Sequence, residues 1–186
     1  IGYVSANQQL PEWMTVQQLV DFCRPMYPTW DSAFCSRMLK DFRLPPDRKL
    51  RHLSRGMKMK VSLLTSLAYR PRLLVLDEPF TGLDPLVRDE VIHGILELTE
   101  QENWSVFISS HDIDEVERFA DWVGFIDDGR LRVAESTADL CGRFKRLGCI
   151  VPIGTQLGLS SPQSWMAQEI NARSFSVIES QYLAGE

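Results

Sequence analysis

None of the eleven glycines in this 186-residue chain is followed by lysine. That excludes from these residues a Gly-Lys-Ser/Thr loop, the turn whose backbone N–H groups and lysine hold phosphates. No apolar stretch approaches the roughly 20 residues needed to span a bilayer, and the first residues lack the charged-then-apolar layout of a secretory signal. Any membrane association is therefore expected to come through a partner. Cysteine is sparse, with Cys23, Cys35, Cys141 and Cys149 showing no Cys-x-x-Cys spacing, and His52, His93 and His111 are scattered. A structural zinc site is not expected, and the four read as reduced, mostly buried thiols that suit a reducing cytoplasm. Positive charge is in the minority: 20 Lys and Arg stand against 25 Asp and Glu, for a net charge of −5. Such a balance argues against a broad basic surface for nucleic acid, and the cluster Arg143, Lys145, Arg146 reads as a solvated helix end.

What is present is an ordinary globular composition, 44% apolar and 24% charged, of a size for one domain. The most informative stretch is Leu73-Leu-Val-Leu-Asp-Glu-Pro-Phe-Thr-Gly-Leu-Asp-Pro85. Four consecutive apolar residues suit a central parallel strand covered on both faces, and ligands of open α/β sheets bind beyond the carboxyl ends of such strands. Asp77 and Glu78 are thus expected to face a ligand. Two adjacent carboxylates repel one another, so a cation or proton is expected nearby, and Mg²⁺ with a nucleotide phosphate would supply it.

Three neighbours sharpen this reading. Leu53-Ser54-Arg55-Gly56-Met57 heads a helical pattern upstream, Gly82-Leu83-Asp84-Pro85 follows at once, and a second apolar run, Val106-Phe107-Ile108, leads to Ser109-Ser110-His111. In order and spacing, residues 1 to 140 resemble the ATP-binding domain of ABC transporters: a signature loop, a Walker B strand with its catalytic Glu, a D-loop and a switch His. The resemblance implies an α/β P-loop NTPase fold of ABC type with a mostly parallel core sheet and an inserted helical subdomain at about 13–55, within a partial ATP-binding domain at 1–147. It implies ATP and Mg²⁺ as ligands and a head-to-tail dimer with a second ATPase subunit. Glu78 would polarise the attacking water, Asp77 would hold Mg²⁺ through water, and His111 would contact the γ-phosphate. Ser54 and Gly56 would meet ATP of the opposite protomer, with Arg55 either adding charge to that contact or pointing to solvent; Arg55 and Met57 replace a Gly and the Gln of the usual Leu-Ser-Gly-Gly-Gln. Asp84 would connect the two sites.

In that family the phosphate loop and the aromatic residue that stacks on adenine precede a strand such as Ile1-Gly2-Tyr3-Val4. The chain therefore reads as truncated at the N-terminus, and this polypeptide alone is expected not to hydrolyse ATP. The usual Q-loop slot holds Ala6, so the amide that touches Mg²⁺ and water is assigned to Gln8, with Asn7 the alternative. The function implied is the motor subunit of a transporter, an exporter by its weak similarity to bacterial subunits paired with two-part permeases, held at the cytoplasmic face of the membrane by its permease. The alternative is an ABC ATPase acting on ribosomes or DNA, but residues 13–111 carry neither a tandem repeat nor a coiled-coil insertion.

Along the chain, Thr15 caps an expected helix with Val16, Leu19, Val20 and Cys23 on one face, and a break at Arg24–Pro28 follows. Asp31 caps a second helix with Phe34, Cys35, Met38 and Leu39, closed by Pro45-Pro46. Trp13, Phe22, Tyr27, Trp30 and Phe34 are expected mainly in the core. Ser54 caps a helix buried through Met57, Val61, Leu64 and Ala68. Pro85 opens a helix through Val87, Val91, Ile95 and Leu98 that returns to a strand at Trp104–Ser109, making a βαβ unit. Asp112 to Ala120 reads as a short helix, Trp122–Ile126 and Leu131–Ala134 as a hairpin, and Thr137 to Leu147 as a helix. Residues 148–186 form a C-terminal extension, either a small β-containing tail or a partly disordered end.

Overall fold

The computed structural model describes residues 1–102, 104–112, 117–118, 120–143, 145–150, 165–171 and 174–179. The chain divides into two compact units, Ile1–Glu115 and Val116–Glu186.

The first unit is built on a parallel sheet of β1 (Gly2–Ser5), β2 (Leu73–Asp77) and β3 (Ser105–Ser109), in that order. Parallel neighbours need a crossover, which α4 (Pro85–Glu102) supplies between β2 and β3. Between β1 and β2 the chain makes α1 (Val16–Cys23), a 3₁₀ turn at Arg24–Met26, α2 (Ser32–Asp41), a second 3₁₀ turn at Leu50–His52 and α3 (Arg55–Leu67). Each of the three helices starts where a side chain can take an orphan N–H. Thr15 and Gln18 form a reciprocal capping box, Asp31 Oδ1 accepts the Phe34 N–H at 2.9 Å, and Ser54 Oγ accepts the Met57 N–H at 3.2 Å. The core gathers around α3, which meets β1, α1, α2 and α4. Val4, Leu74 and Leu76 meet it from the strands, Val61, Leu63, Leu64 and Leu67 from α3, and Val91, Ile92 and Ile95 from α4, all buried. The buried Ser66 hydroxyl is satisfied by donating to the Tyr3 carbonyl at 3.0 Å.

Several expectations need correction. The second helix ends at Asp41, ahead of Pro45-Pro46, because Arg43 turns left-handed (φ 52) and the Leu44 N–H closes on the Leu39 carbonyl at 3.0 Å. The buried face of α3 is wider than Met57, Val61, Leu64 and Ala68: Met59, Leu63 and Leu67 are buried and Met57 is only half-buried, since the helix is covered by both the sheet and neighbouring helices. Of the five aromatics expected in the core, Phe34 alone is buried; Trp13, Phe22 and Tyr27 are exposed and Trp30 half-buried. Phe34 is covered by the Arg70 guanidinium at 3.8 Å, which also pairs with Asp31, while Tyr27 stacks on Tyr69 at 4.1 Å. The Phe34 N–H, followed by Arg70, holds the Asp31 carboxyl below its usual range. Finally, β2 is central but not covered on both faces. Leu74 and Leu76 are buried, whereas Val75 lies in register between Tyr3 and Phe107, which are 54% and 65% exposed. A run of apolar residues without alternation shows that both faces are apolar; it does not show that both are packed.

Among the described cysteines only Cys35 is buried, and burial raises its thiol to about 11, while Cys23 and Cys141 are half-buried. Cys149 lies among residues whose side chains are outside the described set.

In the second unit β4 (Trp122–Asp127) and β5 (Arg130–Ser136) form an antiparallel hairpin, each strand longer than expected. Its turn is Asp128-Gly129, both at positive φ (48 and 69), the backbone that a two-residue hairpin loop requires. The helix α5 (Thr137–Arg143) stops short of Leu147 because Lys145–Ile150 pairs as β6 with β8 (Ser174–Glu179), and β7 (Trp165–Asn171) completes that antiparallel sheet in the order β6-β8-β7. The short helix expected over Asp112–Ala120 falls largely outside the described residues.

Candidate active site

The tips of the three parallel strands bring Ser5, Asp77 and Ser109 side by side in register. Asp77 Oδ1 accepts a hydrogen bond from Ser109 Oγ at 2.8 Å, and its Oδ2 accepts longer ones from Ser5 Oγ at 3.3 Å and the Tyr3 hydroxyl at 3.4 Å. The next residue, Glu78, has φ 49, a left-handed conformation that costs a non-glycine residue energy and needs support from its surroundings. That turn leads into Pro79 and Phe80; the Phe80 ring is buried and pins the loop to the core.

Glu78 Oε2 accepts from the His111 Nδ1 position at 2.7 Å and from Thr81 Oγ1 at 3.1 Å. Against a carboxylate, Nδ1 is the protonated nitrogen, which leaves Nε2 as the second polar atom of a ring that is 76% exposed. Asp77, Glu78 and His111 thus share one rim. Among the described residues no Lys or Arg forms an ion pair with either carboxylate.

The other expected site residues occupy different positions. At the head of α3, Ser54 is the N-cap, and the N–H groups of Arg55 and Gly56 are the two that no helical or capping partner takes. Gly56 is packed so closely on α4 that an added Cβ would stand 2.2 Å from Val87 Cγ1. The Arg55 guanidinium lies over Gly82, whose φ of 72 favours glycine. Asp84 caps α4, its Oδ1 accepting the Val87 N–H at 3.2 Å. Gln8 is exposed on the loop after β1, its N–H donating to the Ser5 carbonyl at 3.1 Å; Asn7 is exposed beside it, and the Ala6 N–H bonds the Asp77 carbonyl. The structure therefore gathers the acid pair and the imidazole, and sets the heads of α3 and α4 against each other.

Sequence reasoning passed over Ser109, Thr81 and the Arg88–Asp112 ion pair (3.1 Å), which ties α4 to the residue after His111. The hydroxyls of Ser109 and Thr81 were in plain sight inside the motifs. Only the parallel register, which puts Ser109 opposite Asp77, gives the first of them its partners.

The comparisons with known proteins meet this geometry. A family model described as ABC transporter matches residues 1–81, and one described as an AAA domain matches residues 46–117. The chain is 33% identical over 131 residues, 70% of its length, to the ABC transporter ATP-binding protein YtrB of Bacillus subtilis (strain 168). This chain belongs to the ABC transporter ATP-binding family. The lantibiotic transport ATP-binding protein SrtF of Streptococcus pyogenes is 42% identical over 84 residues, 45% of this chain. Among solved structures, cbiO1 from Clostridium perfringens, part of the ABC transporter complex cbiONQ, superposes with a TM-score of 0.64 at 26% identity, over 74% of this chain and 57% of that one. The fold is the α/β P-loop fold of ABC ATPase domains. The ABC chain spans less than half the length of these curated relatives, 45% of YtrB and 36% of SrtF.

Mg²⁺ takes oxygen ligands and is usually held by one or two carboxylates together with substrate phosphates. The donors at this rim fit that habit. Asp77 and Glu78 offer carboxylate oxygens without a competing Lys or Arg, and no group of three or more His, Cys, Asp or Glu among the described residues forms a closed metal cage.

Proposed function

We propose that the full-length protein carrying this chain is the ATP-hydrolysing motor subunit of an ABC transporter, working with a separate permease in the direction of export. The observation that carries the proposal is the meeting of Glu78 and His111 at 2.7 Å, beside Asp77, on the tips of adjacent parallel strands. In the reaction, a water oxygen bonds to the γ-phosphorus as the bond to the β–γ bridging oxygen breaks. ADP and phosphate leave, and Glu78 takes the proton that water gives up. His111 holds one carboxylate oxygen of Glu78, leaving Oε1 with no described hydrogen bond and able to receive the proton. With a proton on both ring nitrogens, His111 would donate through Nε2 to the γ-phosphate while Nδ1 stays on Glu78. Asp77, with Gln8 as a second contact, would hold Mg²⁺, which supplies positive charge to the phosphates when bound.

The two spare N–H groups at Arg55 and Gly56, at the positive end of the α3 dipole, suit an anion. We assign that anion to ATP on a second ATPase subunit in a head-to-tail dimer, with Asp84 linking the two sites. In a Glu78→Gln background, Ser54→Ala is expected to weaken ATP-driven dimerisation, followed by light scattering, without changing ATP affinity of the monomer. A dimer unaffected by the change would remove the opposite protomer from the account.

No helix among the described residues is long and apolar enough to cross a membrane. Attachment to the cytoplasmic face would come through the permease, and the family's phosphate loop would be supplied by the longer protein. Purification of the full-length protein from mild detergent is expected to yield Mg²⁺-dependent ATPase activity and a multi-span membrane protein in the same complex. Ribosomes or DNA in its place would reject the transport role.

A further inference from the structure

We propose that Ser109 is a positioning residue for both carboxylates of the ATPase site, an inference that rests on the function proposed above. Its hydroxyl donates to Asp77 Oδ1 at 2.8 Å and accepts the Glu78 N–H at 3.0 Å. The same N–H also reaches the Ser109 carbonyl at 3.2 Å, so Glu78 is held by a three-centre bond to one residue. A hydroxyl has one proton to give, and here it goes to the carboxylate expected to face the metal, while a lone pair anchors the backbone of the residue expected to face water.

The geometry gives Ser109 a task that neighbouring groups do not share. Ser5 and Tyr3 reach Asp77 only at 3.3 and 3.4 Å, at the weak end of hydrogen bonding, and both act on Oδ2. Thr81 and His111 act on the Glu78 side chain and touch nothing of Asp77. Glu78 keeps a left-handed backbone (φ 49) that the Ser109 acceptors hold in place. One hydroxyl therefore fixes Asp77 Oδ1 and the start of the Glu78 turn relative to one another. Ser109 itself contacts no reacting atom. Its effect would pass through the orientation of groups that do, the part that outer partners play at metal sites.

The test uses the full-length protein. Ser109→Ala is expected to lower kcat by about tenfold to a hundredfold with little change in KM for ATP, the range seen when outer partners of metal ligands are removed. Without turnover, Mn²⁺ replaces Mg²⁺ on the ADP-bound protein, and its apparent affinity by electron paramagnetic resonance is expected to fall by about tenfold. Ser109→Thr, which keeps the hydroxyl and suits a strand, should restore both readouts. An alanine variant with the parent's kcat and Mn²⁺ affinity overturns the inference, as does a threonine variant as defective as alanine, which would reduce the role to packing. A parent protein with no ATPase activity overturns the functional reading itself, so the two failures are told apart.

Discussion

Glu78→Gln in the full-length protein is expected to lower steady-state ATP hydrolysis by about 10²–10⁴-fold, the contribution of a well-placed general base. Binding of ATP should survive, because the amide keeps the size and one carbonyl oxygen of the carboxylate. The substitution removes proton affinity and little else. The oxygen nearest His111 can still accept from Nδ1 and from Thr81, so the loop after β2 should keep its shape. Phosphate release measured under saturating ATP, beside equilibrium binding of a fluorescent ATP analogue, separates the two. Turnover at the parent's rate would remove Glu78 from the reaction.

His111→Ala is expected to cost about 10²–10³-fold in kcat, the usual loss when one donor to developing charge is deleted. The geometry adds a sharper expectation, since the imidazole also holds the Glu78 carboxylate at 2.7 Å. Residues that act as a unit are strongly non-additive. The double variant Glu78→Gln with His111→Ala should be little slower than Glu78→Gln alone. A double-mutant cycle in which the two losses simply multiply would show that the side chains act independently, and the joint role given to them would fall.

Much of this fold could be read from the chain, because its signals were local. Four apolar residues before Asp77, a proline at the start of α4 and a second apolar run before His111 place a βαβ unit without any knowledge of contacts. The caps at Thr15, Asp31 and Ser54 were equally legible, since each is decided within three residues. What stayed hidden depends on register or on distant neighbours. Tyr3, Val75 and Phe107 form one row only once three strands are aligned. The end of α2 is set by a left-handed Arg43, for which arginine carries no advertisement. Trp13 stands exposed in the turn before α1 and Phe22 on an exposed face of α1, and hydrophobicity alone pointed the other way. In the site, the carboxylates and imidazole were legible as motif letters. The serine whose hydroxyl joins the Asp77 carboxylate to the Glu78 backbone N–H was not, because its partners lie 32 and 31 positions away.

The contact of Gly56 with Val87 makes the start of α3 sensitive to bulk for reasons unrelated to phosphate. Even a methyl group there would act as a wedge, and Val87 is the residue whose N–H the Asp84 carboxylate caps. A lesion at one loop would thus be delivered mechanically to the other. Two motifs that are 28 residues apart, counted from Gly56 to Asp84, share a single steric joint.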